Sequence, residues 1–248
     1  MAPGIGHQFM MQTYYRYLEP SDQSRGLPQP PLQLPYDPAK PVIALPNPGT
    51  VEVRPVTVRE AIETRRSVRR YAQTPLSLEE LSFLLWCTQG VKEVSGRQVT
   101  LRTVPSAGAR HAFETYLLIH RVAGLPAGLY RFLALEHKLL QLELDATLSD
   151  RVTEACWNQQ FVQQSAVTFI WTAVVYRMAW RYGERGYRYL HLDAGHVCQN
   201  LYLAAAAVDC GVCAIAAFND EAMNALLGLD GEKQFVIYLA TVGKRDRV

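Results

Sequence analysis

Ten of the fourteen prolines in this 248-residue chain fall between Pro20 and Pro55. Proline lacks the amide donor and fixes φ, so this stretch is barred from regular helix and from any central strand. The chain is thereby divided: residues 1–55 are expected to form an extended arm packed over a core or a partner, and residues 56–248 a folded domain. A disordered tail is the alternative. Tyr14, Tyr15, Tyr17 and Tyr36 favour packing, because disordered segments are poor in aromatic residues.

Beyond Pro55 the apolar periodicity takes over. Thr57 with Glu60 forms a capping-box pattern, and Val58, Ala61 and Ile62 share a face, so a helix is expected from Thr57 to near Arg66. Ser77-Leu78-Glu79-Glu80 opens a second, continued by Leu81, Leu84, Leu85 and Thr88. Strands are expected at 114–121, 128–132 and 139–144, with a hairpin break at 136–138, and at 167–176, whose Val, Ile, Phe and Trp suit burial on both faces. Phe161–Gln164 suggests a short helix. His191–Val208 reads as a long, mostly apolar helix suited to a core or a subunit interface. Strands at 212–218 and 235–242 flank a short helix at 221–227. Helices and strands mix without regular βαβ alternation, which favours an α+β fold over a doubly wound sheet.

Bulk chemistry excludes several classes. The net charge is only +2, from 25 basic and 23 acidic residues, against the basic excess of a nucleic-acid binder. The first twenty residues hold no continuous apolar stretch, so no signal peptide is expected, and no apolar run is long enough to span a bilayer. Five cysteines, an odd number, fit a reducing, cytoplasmic compartment.

Four segments carry chemistry. Arg65-Arg66-Ser67-Val68-Arg69-Arg70 sets four arginines within six residues at a helix end. Such a cluster repels itself unless an anion compensates it; a phosphate would do so through bidentate, charge-assisted bonds, while a solvated face with Arg–Glu pairs is the plainer reading. Pro105-Ser106-Ala107-Gly108-Ala109-Arg110 is a small-residue loop where backbone can approach a ligand, or simply a loop. Residues 180–189 interleave aromatic and basic side chains, able to stack on a planar group or to cap a surface loop. Val242-Gly243-Lys244-Arg245 places two cations directly after a strand, an anion site or a basic tail.

Other chemistries lack their signatures. No G-x-G-x-x-G follows a strand, and no Walker sequence occurs. Cys210-Gly-Val-Cys213 is a single C-x-x-C beside an apolar strand, better suited to a core than to zinc. His191 and His196 are five apart, on different helix faces, so no metal site is expected.

In this order the four segments resemble the nitroreductase superfamily, most closely its SagB-type dehydrogenases, the branch that includes azoline oxidases. The resemblance spans about residues 57–245. It implies an α+β fold with a mixed sheet flanked by helices, an intertwined homodimer, and FMN bound between subunits. It implies an FMN-dependent oxidoreductase passing hydride through flavin N5 by a ping-pong route, with NAD(P)H or another donor and a small-molecule or peptide substrate. A peptide azoline oxidase, or a flavin-binding subunit without turnover, are the alternatives. By the same resemblance Arg65, Arg66 and Ser67 hold the phosphate and ribityl chain, joined by Lys244 and Arg245. Arg69 faces the pyrimidine edge, where its cation would stabilise negative charge on the reduced ring. Pro105, Ser106, Ala107, Gly108 and Arg110 approach the flavin from the partner side, and Ala214, Ile215, Ala216 and Ala217 run beside N5. Arg188 and Tyr189 stand where azoline oxidases carry a Lys-Tyr pair, making Tyr189 the candidate for proton transfer; arginine is a poor base. Ala109 and Ala216 depart from the asparagine and glycine common in the family.

Overall fold

The computed structural model describes residues 4–96 and 99–246. Its N-terminal part begins with a two-turn helix, α1 (Ile5–Gln12), ahead of the proline-rich stretch. That stretch then runs over the domain and contributes one short edge strand, β1 (Val42–Ala44). Because prolines present only carbonyls, the stretch is held mainly as an acceptor. Arg177 donates to Pro31 O at 2.8 Å, Arg131 to Leu34 O and Pro35 O at 3.2 and 3.0 Å, and Trp180 Nε1 to Leu27 O at 3.0 Å. The buried carboxylate of Glu114 meets Arg177 at 2.6 Å and accepts the Leu34 amide at 2.8 Å.

The domain opens with α2 (Val58–Thr64), capped by Thr57 Oγ1 accepting from Glu60 N, and α3 (Leu78–Gln89), closed by the Ser77–Glu80 capping box. A hairpin follows, β2 (Val91–Ser95) with β3 (Val99–Arg102), which the sequence pattern did not predict. Next come β4 (Phe113–Ile119), β5 (Gly128–Leu133), β6 (Lys138–Glu143), α4 (Leu148–Ala155), α5 (Phe161–Gln164) and β7 (Val167–Val174). The remainder is α6 (Val175–Tyr182), α7 (Gly186–Ala207), β8 (Cys210–Ile215), α8 (Asp220–Leu226) and β9 (Gln234–Lys244).

The main sheet has the order β1-β6-β5-β4-β7-β9-β8, every ladder antiparallel, with a parallel bridge between Ser67 and Val212 at its β8 edge. Strand side chains alternate across it. Leu117 and Ile119 of β4 join a core with Leu81, Leu84 and Leu85 of α3 and Val197 and Leu201 of α7. Tyr116 and Leu118 face the opposite side, under Leu148 and Val152 of α4, Val162 of α5 and Met223 of α8. This is the expected α+β architecture.

Three expectations need correction. The strand expected to reach Tyr176 stops at Val174; Val175 and Tyr176 begin α6, a helix buried on more than one side through Val175, Arg177, Met178 and Trp180, with Arg177 paired inward to Glu114. The aromatic-basic stretch 180–189 is no loop but the junction of α6 and α7, and α7 starts five residues before His191. The strand expected to end at Phe218 ends at Ile215, since Asn219 caps α8 through Ala222 N and the chain must leave the sheet first. Cys210 and Cys213 are buried. Among the described residues no helix is long and apolar enough to cross a membrane.

Candidate functional site

The arginine segment is positioned by two glycines. Gly211 and Gly243 are cross-strand partners in the β8–β9 ladder. A Cβ on Gly211 would lie 2.6 Å from Val68, and one on Gly243 2.8 Å from the Tyr71 ring. The bare strands therefore admit Val68 and Tyr71. Backbone bonds fix the register: Val68 N to Val212 O at 2.9 Å, Ala72 N to Lys244 O at 3.0 Å. The Tyr71 hydroxyl bonds Val68 O and Thr241 Oγ1, both at 2.7 Å. Burial pushes its pKa well above the usual phenol value. With Val68 and Tyr71 turned inward, Arg65, Arg66, Ser67, Arg69 and Arg70 remain exposed.

Around this segment a donor set converges that sequence reading only half anticipated. The Arg65 guanidinium lies 5.3 Å from the Tyr202 ring centroid, and Ser67 Oγ lies 3.2 Å from the Tyr202 hydroxyl. That hydroxyl also accepts the Ala214 amide at 2.9 Å. Tyr202 was missed; its signal was a phenol within an alanine-rich apolar helix, where a hydroxyl needs a partner. Arg69 sits 5.8 Å from the Phe161 ring centroid. Arg245 Nε donates to Cys210 O at 3.1 Å, on the same strand edge. Lys244 points away from the open side: its ammonium pairs with Glu80 and donates to Val208 O at 2.8 Å. Among the described residues, none of Arg65, Arg66, Arg69 or Arg70 is paired to a carboxylate. A set of guanidiniums and hydroxyls without a counter-charge fits a phosphate-bearing ligand.

Ala214–Ala217 carry the β8 edge past this cluster. Ile215 is buried, whereas Ala216 and Ala217 are exposed, and Ala217 O accepts from Gln159 Nε2 at 3.0 Å.

The loop at 105–110 is elsewhere. Ser106 Oγ accepts His111 N at 2.9 Å, and Ala107 N donates to Asp193 Oδ1 at 3.2 Å. Gly108 adopts φ +56°, tucked against Arg181 and Tyr182. Arg110 is 5% exposed, its guanidinium 5.1 Å from the Trp180 ring centroid. Asp193 and Tyr202 mark the two clusters on α7. Nine residues separate them, about 13 Å of helix and about half a turn of phase. Within one chain the loop and the arginine segment therefore lie on opposite sides of α7.

Arg188 and Tyr189 form a third group, engaged by the N-terminal segment. Arg188 Nε donates to Thr13 Oγ1 at 2.5 Å, and its Nη2 to Met10 O. Tyr189 shares a hydrogen bond with Tyr15 at 3.0 Å and accepts from Arg185 Nε at 2.8 Å. Burial would raise the Tyr189 pKa, but the Tyr15 and Arg185 bonds outweigh it and hold the phenol below its usual value.

Residues 62–244 match the Nitroreductase family. A Methanocaldococcus jannaschii protein named as a nitroreductase is 32% identical over 194 residues, covering 78% of this chain and 94% of its own length. The trifolitoxin-processing protein TfxB of Rhizobium leguminosarum bv. trifolii is 34% identical over 108 residues, 42% of this chain but only 29% of that longer protein. A crystal structure from Ralstonia eutropha JMP134, also named as a nitroreductase, superposes with a TM-score of 0.69 at 26% identity, over 90% of this chain and 96% of that one.

Proposed function

From the premise that this chain belongs to the nitroreductase family, we propose that it is an FMN-dependent oxidoreductase that works as a homodimer. The observation that carries this reading is the meeting of Arg65, Ser67, Tyr202 and the Ala214 amide, with Arg245 on the same strand edge. Arg65, Arg66, Ser67 and Arg245 would hold the phosphate. Arg69 supplies a cation toward the ring, and the exposed backbone at Ala216–Ala217 would flank it. Lys244 holds Glu80 and the strand end rather than ligand. FMN, when bound, supplies hydride exchange at N5, alternately with a donor such as NAD(P)H and with an acceptor.

Dimerisation follows from the two faces of α7. One flavin meets both the arginine segment and the loop at Pro105, Ser106, Ala107, Gly108 and Arg110 only if a second copy supplies one of them. Tyr189, its phenol acidified by its bonds with Tyr15 and Arg185, is the proton-transfer group in this reading, and Arg188 anchors the N-terminal segment.

Purified protein should take up one FMN per chain and turn yellow; a colourless protein that does not bind added FMN would sink the proposal. A second reading, peptide azoline oxidation, is favoured by the likeness to a trifolitoxin-processing protein. Anaerobic NAD(P)H separates the two: rapid bleaching supports a reductase, and its absence supports a peptide oxidase or a subunit without turnover.

A further inference from the structure

We propose that the cleft between α4 and α8 binds a short uncharged peptide segment through an aromatic side chain stacked on Trp157. Its role as a substrate subsite rests on the oxidoreductase reading; its binding does not.

Helix α4 ends in a Schellman closure, with Trp157 N donating to Glu154 O and Asn158 N to Thr153 O, both at 2.9 Å. Trp157 and Asn158 both adopt φ +56°. The first of these positions ordinarily holds glycine, because a side chain in the left-handed region is strained. Here it holds a tryptophan, and the residue is 63% exposed. Packing does not explain a bulky side chain at a strained and open position; a stacking platform does.

The surroundings complete a slot. The cleft has a volume of about 500 Å³. Ala155, Ala222, Ala225 and Leu226 line it with small apolar surface, while Asn158 and Asn219 offer amides. Asn219 Oδ1 is used in capping Ala222 N, which leaves its NH2 to donate. Arg151 and Glu154 at the cleft carry opposite charges, so no net charge selects an ionic ligand. The volume exceeds a single ring and falls in the usual small-ligand range of about 300–1,000 Å³. A ring plus flanking peptide amides matches this mixture of flat, apolar and amide surface. Gln159 bridges the end of α4 to Ala217, through Cys156 O at 2.9 Å and Ala217 O at 3.0 Å, which sets the cleft beside the strand end assigned to the flavin.

The test uses the full chain and needs no flavin. Trp171 and Trp180 are buried and Trp86 is half-buried, so the difference in acrylamide quenching between the unsubstituted chain and Trp157→Gly isolates Trp157. Acetyl-Gly-Phe-Gly-amide should protect Trp157 saturably, and benzamide should do so more weakly. Calorimetry on Trp157→Gly should show binding about tenfold weaker, the loss of one stacked ring pair, with a melting temperature no lower than that of the unsubstituted chain, since glycine relaxes the closure. No saturable protection by the peptide, or undiminished binding by Trp157→Gly, overturns the site. Benzamide binding as tightly as the peptide overturns the peptide assignment. A protein that binds the peptide but never takes up FMN would retain the cleft and refute the flavin reading.

Discussion

The Tyr202 hydroxyl accepts the Ala214 amide at 2.9 Å while lying 3.2 Å from Ser67 Oγ, so one phenol ties α7, the β8 edge and the arginine segment together. Tyr202→Phe keeps the ring beneath Arg65 and removes only these contacts. A net hydrogen bond contributes about 1 kcal/mol, so FMN affinity should fall about fivefold, while the melting temperature drops only by about 2–4 °C, the cost of leaving the Ala214 amide without its acceptor. Fluorescence titration of FMN checks this; unchanged affinity would remove Tyr202 from the site.

Arg65→Ala should separate FMN from riboflavin. A charge-assisted bond to phosphate is worth about 2 kcal/mol, so FMN binding should weaken about 30-fold while riboflavin binding barely changes. An equal loss for both ligands would place Arg65 away from the phosphate.

Glu114 is the buried carboxylate that faces Arg177, with Arg102 nearby and likewise buried. Burial holds the Arg102 guanidinium down to about 10. Glu114→Gln leaves these cations uncompensated and should cost about 3 kcal/mol in urea unfolding at neutral pH. The Leu34 contact weakens with it, so trypsin should cut faster after Arg25. A variant as stable and resistant as the original would show that the strap does not depend on this carboxylate.

Stability should fall on acidification. Burial, helped by the charge of Arg102, depresses the His111 pKa to about 3, and burial also lowers His120 and His137. The unfolded chain takes up these protons near pH 6.5, whereas folded His111 resists until near pH 3. The native state therefore binds fewer protons in that window, and stability declines as pH drops through it, by up to about 1.4 kcal/mol per pH unit for each group. Above about pH 6.5 these groups add no slope. Denaturant midpoints from pH 8 to 4.5 should trace this, and His111→Gln should flatten the curve. A midpoint independent of pH below 6 would contradict the burial of the neutral ring.

Much of the scaffold could be read in advance where local chemistry specifies it. Thr57 and Ser77 cap helices because their hydroxyls reach amides three residues on. The four Val, Ile, Phe and Trp residues within Val167–Trp171 read as a strand because they sit between two apolar layers. Reading failed where local signals conflicted. Val175 is β-branched and follows a strand, yet it turns helical because Arg177 must reach Glu114. The Lys244 pair with Glu80, 164 residues away in sequence, has no local signal at all.

By itself the amino-acid order determined the bar on regular helix through the proline-rich stretch, the alternation of helix and strand, and the residue types able to meet a phosphate, because these follow from propensity, periodicity and charge within a few residues. Only the tertiary structure decided which of those groups converge. Gly211 and Gly243 had to pair across two strands before Val68 and Tyr71 could seat. Tyr202 had to arrive from α7, and the loop at 105–110 had to fall on the opposite side of that helix. Such meetings depend on contacts between residues far apart in the chain, where no local pattern carries the information.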